Sequence, residues 1–135
     1  MSESFLLSLP AEERAKFIEG VFDFARAGHT QELAEMLDAG VPVDLTNARN
    51  DSLLIVATYA QQAEAVSLLL SRGAPTDHIN NMGQTALSCA VFRNDEGVLR
   101  QLLSAGADPH AGAHSALAIA QQFGLSAMAD ILSQE

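Results

Sequence analysis

The chain has one cysteine, Cys89, and no tryptophan. A single cysteine cannot close an internal disulfide, so nothing supports export to an oxidising compartment. Aromatic residues make up only 5% of 135 positions. That is too few for a β-sandwich, whose strands draw on aromatic and β-branched residues. Basic residues are scarce as well: 7 Lys and Arg stand against 17 Asp and Glu, a formal charge of −10. Nucleic-acid binding needs a basic footprint, which the composition does not offer. An anionic membrane surface would repel the chain for the same reason. Long apolar runs are missing too, and a run such as 53–57 is far too short to span a bilayer. The first residues have no basic lead, and Ser8 and Pro10 interrupt their apolar stretch, which argues against a secretory signal. Phosphate-binding G-x-x-x-x-G-K-[ST], G-x-G-x-x-G and the G-x-S-x-G elbow are absent. These absences leave a soluble cytoplasmic protein with no catalytic or cofactor motif.

What is present is apolar residue in quantity, 48% of the chain, rich in Ala and Leu. A chain of this length buries enough surface to fold as one domain, and this composition favours helices packed through small side chains. The sequence also repeats. Gly40, Gly73 and Gly106 are 33 residues apart. Each follows an apolar pair (Met36-Leu37, Leu69-Leu70, Leu102-Leu103) and precedes a proline, Pro42, Pro75 or Pro109. The glycines end a helix cheaply in the left-handed conformation, and the prolines prevent its continuation. Asn47 and Asn80 keep the same 33-residue spacing. A hydroxyl then opens each following segment: Ser52, Thr85 and Ser115, the last only 30 residues on. These hydroxyls suit helix N-caps. Leu54, Leu87 and Leu117, with Ala57, Ala90 and Ala120 one turn later, form the buried stripe of the helix that follows.

This 33-residue pattern resembles the ankyrin repeat, a β-turn finger plus two antiparallel helices with a T-P-L-H-x-A opening. Here Leu53, Ala86 and Ala116 replace the proline, and Ile55, Ser88 and Ala118 replace the histidine. The resemblance covers about residues 15–135. It implies an all-α solenoid of about four helix-turn-helix repeats with β-turn fingers and an extra N-terminal helix. The approximate repeats are 14–46, 47–79, 80–112 and 113–135, with 1–13 as an N-terminal cap. Helices are expected near 2–8, 10–27, 31–39, 52–60, 62–71, 85–92, 95–104, 115–123 and 125–133. The absence of linkers and tails points to a small stand-alone protein of bacterial kind. Polar, acidic ends suit a monomer held apart by its charge, and Phe5-Leu6-Leu7 is the apolar patch that would drive any self-association.

For function, the resemblance implies binding another protein through fingers and a concave groove, with no enzymatic activity and no cofactor. Tyr59 and Phe92 are 33 apart, two residues beyond the buried Ala57 and Ala90, and so point away from the core. Arg26 and Gln122 hold the matching places on the outermost repeats, and Arg93 and Phe123 lie next to the row. In the fingers Arg49, Asp51, Met82 and Gln84 take exposed places. Aromatic, Arg and Met residues are enriched at interface cores, so Arg26, Arg49, Tyr59, Met82, Phe92 and Arg93 are the candidate protein-binding residues. The expected partner docks across the second and third repeats with apolar groups and neighbouring carboxylates. An aromatic at helical spacing is also an ordinary core residue, so burial decides between the two.

Other readings remain open. Asp108, His110 and His114 share a loop that could serve a small enzyme or a metal site, although zinc usually takes three or four converging ligands. A dedicated inhibitor or chaperone-like cap differs from a binding module only in the consequence of binding. Cys89, between Leu87 and Ala90, reads as a small core residue rather than a reactive thiol. His29, in a turn after Gly28, reads as structural, and His78 beside Asp77 makes no catalytic arrangement. Glu32, Glu35 and Asp38 form a solvated helix face.

Overall fold

The computed structural model describes residues 3–134, with side chains from Leu6 onward. Its helices are α1 Glu3–Ser8, α2 Ala11–Ala27, α3 Thr30–Asp38, α4 Leu53–Tyr59, α5 Ala63–Ser71, α6 Ala86–Phe92, α7 Glu96–Ser104, α8 Ala116–Gln122 and α9 Ser126–Ser133. Among the described residues the only β pairing is an isolated bridge between Thr46 and Ser52. Every expected helix is present to within a residue or two. The first position of the expected N-terminal helix, Ser2, lies outside the described residues, as does the Phe5 side chain. Leu6 is buried and Leu7 is exposed, so the expected 5–7 patch loses Leu6 to the interior.

Local chemistry sets the helix starts. Ser52 Oγ accepts the Ile55 N–H at 3.1 Å, Thr85 Oγ1 that of Ser88 at 3.1 Å, and Ser115 Oγ that of Ala118 at 3.2 Å. Each thereby satisfies an amide that has no partner within the first turn. Ser88 reciprocates, its Oγ accepting the Thr85 N–H at 2.9 Å in a capping box. The serine that replaces the expected histidine thus closes the start of α6, whereas Ile55 and Ala118 bring no polar group there.

The helices pair in sequence, α2 with α3, α4 with α5, α6 with α7 and α8 with α9. The first members stack in order as an inner row, α2 on α4, α4 on α6 and α6 on α8, while α3, α5 and α7 follow as an outer row. Contacts of this kind, between neighbouring repeats only, define a solenoid. One continuous apolar core runs from Val21 to Leu132.

The two rows bury their helices differently. Outer helices show the expected one-sided pattern, as in α7, where Val98, Leu99, Leu102 and Leu103 are buried and Arg100 is exposed. The two middle inner helices, α4 and α6, do not have a stripe. In α4 all residues from Leu53 to Thr58 are buried, and in α6 all from Ala86 to Val91. Each is enclosed by the inner helices before and after it and by its own outer helix. Leu117 in α8 is only partly buried, because no further inner helix covers its far side.

This enclosure leaves one polar misfit. Thr58 is fully buried, and its Oγ1 has no hydrogen-bond partner. Val91 occupies the matching position in α6. Thr58→Val keeps the branched shape and removes the unpaired hydroxyl, so thermal or urea unfolding should show a gain of about 1 kcal/mol. A loss of stability would mean that the hydroxyl is bonded.

Candidate binding groove

The fingers take their shape from two asparagines. Asn47 Oδ1 accepts the N–H groups of Arg49 and Asp51, each at 3.0 Å. Asn80 Oδ1 accepts those of Met82 and Gln84, each at 2.9 Å. Each finger closes with a backbone bond, Asn47 N–H to Asp51 carbonyl at 3.1 Å and Asn80 N–H to Gln84 carbonyl at 3.0 Å. The fingers are also tied to one another. Asn80 Nδ2 donates to Asp51 Oδ1 at 2.8 Å, and the His78 ring Nε2 lies 2.7 Å from the Asn50 carbonyl. His114 N–H reaches the Gly83 carbonyl at 3.0 Å. The sequence pattern shows that Asn recurs but not that Asn80 is a buried hub, because its partner Asp51 is 29 residues away.

Between these fingers and the inner helices lies a groove of about 650 Å³. Arg26, Arg49, Tyr59, Met82 and Phe92 all line it, with Ile55, Val56 and Cys89 along the helix wall. Five of the six candidate residues therefore come together. The sixth, Arg93, sits at the edge: its guanidinium lies 5.0 Å from the Tyr59 ring centre, and Nη2 donates to Gln61 Oε1 at 3.0 Å. Asp51 and Gln84 depart from expectation. Both are half-buried rather than exposed, because Asn80 draws their side chains inward at 2.8 and 3.1 Å.

Burial decides the status of the rings. Tyr59 keeps 47% of its surface exposed, Phe92 51% and Phe123 58%. Tyr59 and Phe92 are the last residues of α4 and α6, beyond the part of each helix that its neighbours enclose. Position at the helix end, not direction relative to a stripe, exposes them. The Tyr59 and Phe92 ring centres are 6.3 Å apart with near-parallel planes, and Phe123 meets Phe92 edge-on at 6.4 Å. Gln122, expected to continue the row, is exposed but does not line the groove; Phe123, the C-cap residue of α8, extends it instead.

The alternative loop is arranged differently. Asp108 Oδ1 accepts the N–H of His110 at 2.9 Å, so the carboxylate bonds to its own turn. Among the described residues no three His, Cys, Asp or Glu side chains lie close enough together to hold a metal ion. No helix among them is long and apolar enough to cross a membrane. His29 packs its ring 6.2 Å from that of Phe24.

Stacked helix pairs with capped starts and asparagine-built fingers are the parts of one repeat architecture. A family model for ankyrin repeats, in three copies, matches residues 22–113. The chain belongs to the ankyrin repeat family. It is 41% identical over 56 residues, 42% of its length, to an ankyrin repeat protein of Pseudomonas aeruginosa, and it spans 33% of that protein's own length.

Within this ankyrin stack Cys89 lies on the groove wall yet is 1% exposed. Burial first, and the nearby Asp51 carboxylate second, push its thiol from 9.0 up to about 12. A thiol reagent at neutral pH should leave the folded chain unlabelled and react fully after denaturation. Between about pH 9 and 12 the unfolded thiol releases its proton while the folded one keeps it. The unfolded state then binds fewer protons, so stability should fall as pH rises, by up to about 1.4 kcal/mol per pH unit. Cys89→Ala should lack this component in unfolding measured across that window. Rapid labelling of the native protein would contradict both expectations.

Proposed function

We propose that this ankyrin stack is a protein-interaction module, not an enzyme, and that a partner protein docks along the groove and the finger tips. One observation carries the proposal: three half-exposed rings, Tyr59, Phe92 and Phe123, form a continuous row beside arginines and Met82. Rigid aromatic, Arg and Met side chains are the types that anchor interfaces. The finger network supports the reading, because its hydrogen bonds fix the backbone at Arg49 and Met82 before binding and so lower the cost of ordering the loops. A lone, buried cysteine without a disulfide and the absence of a membrane-length helix among the described residues agree with work in the cytoplasm. The domain is read as a single unit with repeats starting near 14, 47, 80 and 113.

The test is capture from the source cell on immobilised protein. Species retained by the parent should be lost on the Tyr59→Ala/Phe92→Ala double variant. They should remain on Arg100→Ala, which alters an exposed outer-helix pair with Glu96. Equal retention on all three would remove the groove from consideration.

A further inference from the structure

The groove has unlike ends. Its first end holds two arginines on different walls, Arg26 near the end of inner helix α2 and Arg49 in the first finger. Toward the other end the lining becomes apolar, with Tyr59, Met82 and Phe92, and Phe123 packs beyond them. Neither arginine is firmly engaged. Arg26 pairs with Asp23 at 2.6 Å, but both side chains are well exposed. Arg49 Nε meets Asp51 through one 3.5 Å contact while the arginine is 75% exposed. Exposed pairs of this kind are weak, and an incoming carboxylate that bonds in bidentate fashion can displace them. The Asp51 carboxylate also lines the groove, but it is half-buried and bonded to Asn80, and the two exposed arginines outnumber it at that end. The groove thus offers guanidinium groups held only by weak exposed pairs at one end in a chain that is otherwise strongly acidic, at −10.

Resting on the proposal that the groove is the docking surface, we infer that it selects a partner segment whose Asp or Glu side chains flank one side of its large apolar residues. The acidic flank lies between Arg26 and Arg49, and the apolar residues run over Tyr59 and Phe92. The order follows from the lining: reversed, the carboxylates would lie against aromatic rings whose neighbouring guanidinium, Arg93, is already stacked on Tyr59 and bonded to Gln61. The groove is open at the arginine end, as the exposure of both side chains shows, so a continuing chain with acidic side chains fits it. A volume of about 650 Å³ falls in the range of ligand-sized clefts and takes several side chains rather than one. Long-range attraction between the −10 chain and basic partners acts on approach. Contact with these displaceable guanidinium groups decides what stays.

The experiment pans a random displayed peptide library on the parent chain. A charge-reversed Arg26→Glu/Arg49→Glu variant and a neutral Arg26→Gln/Arg49→Gln variant are panned beside it, each first checked for parental thermal unfolding. The parent should enrich apolar residues with an acidic flank. The charge-reversed groove should enrich a basic flank in the same place. Parent-selected clones should bind both variants about tenfold or more weakly and should be lost on Phe92→Ala. A basic flank on the parent, or acidic clones that bind the charge-reversed variant equally, would overturn the inference while loss on Phe92→Ala still upheld the groove as the docking surface. Clones indifferent to Phe92→Ala as well would overturn both. Enrichment of no segment at all would overturn the inference, since a groove that selects a segment must select one.

Discussion

Leu54→Ala and Leu87→Ala are each expected to lower the free energy of unfolding by about 2–5 kcal/mol. The two leucines are 33 residues apart at equivalent places on α4 and α6, and both are essentially without exposure. Each lies in a helix enclosed by its inner neighbours and its outer partner, so the protein has no free side along which to collapse into the cavity. The position within the stack adds to the effect. A solenoid is stabilised by nearest-neighbour interfaces, and α4 and α6 each take part in the interfaces before and after them. Leu117→Ala should cost less, because that leucine at the end of the inner row is only partly buried. Equilibrium urea unfolding of the three variants checks the order. A mild effect at both Leu54 and Leu87 would mean that the repeat register is misassigned.

Tyr59→Ala and Phe92→Ala are expected to show the opposite division, with binding lost and folding largely kept. About half of each ring faces solvent in the free protein. Truncation therefore removes only the half of each ring that is buried, together with one ring–ring contact and the stacked Arg93 for Tyr59 and two ring–ring contacts for Phe92. Contacts of these kinds are each worth about 0.5–1.5 kcal/mol. In a complex the same rings would be fully covered, and loss of an aromatic anchor costs about 2 kcal/mol or more. Arg49 and Arg93, nearer the edge, should mainly change the association rate and its salt dependence. Unfolding and affinity for the captured partner need to be measured on the same preparations. Marked unfolding of both variants would make the rings structural; parental affinity in both would move docking off the groove.

The parts of the fold legible in the sequence are those set by local chemistry. Ser52, Thr85 and Ser115 announce helix starts because a cap bonds within its own turn. Gly40, Gly73 and Gly106 announce ends because their positive φ suits glycine. The same kind of turn recurs between inner and outer helices at Gly28, Gln61, Asn94 and Gly124, with φ of 74°, 60°, 55° and 66°. Gly28, Gly124 and, more weakly, Asn94 signal it by residue type, so the row stays hidden in Gln61. Burial on all sides was also illegible. A periodic pattern detects one apolar face, and α4 has none to contrast with a polar one. Five of the candidate groove residues were found through the 33-residue spacing of Tyr59 and Phe92 and their neighbours. The register that starts from Ser115 puts Gln122 in the row and Phe123 beside it, and the packing of Phe123 on Phe92 is a contact between repeats that no local pattern carries. Asn80, Asp51 and His78 act across fingers on partners 28 or 29 residues away, and no local pattern carries such a pairing.

The most direct measurement is a titration of the isotope-labelled chain with its captured partner, following backbone amide and side-chain methyl resonances by NMR. If the groove is the docking surface, the largest changes fall on Arg26, Arg49, Tyr59, Met82 and Phe92 and on the methyl groups of Ile55 and Val56 beneath them. The exposed faces of α3, α5, α7 and α9 then stay at their free positions. Changes concentrated on those outer helices, with the groove resonances unmoved, would contradict it.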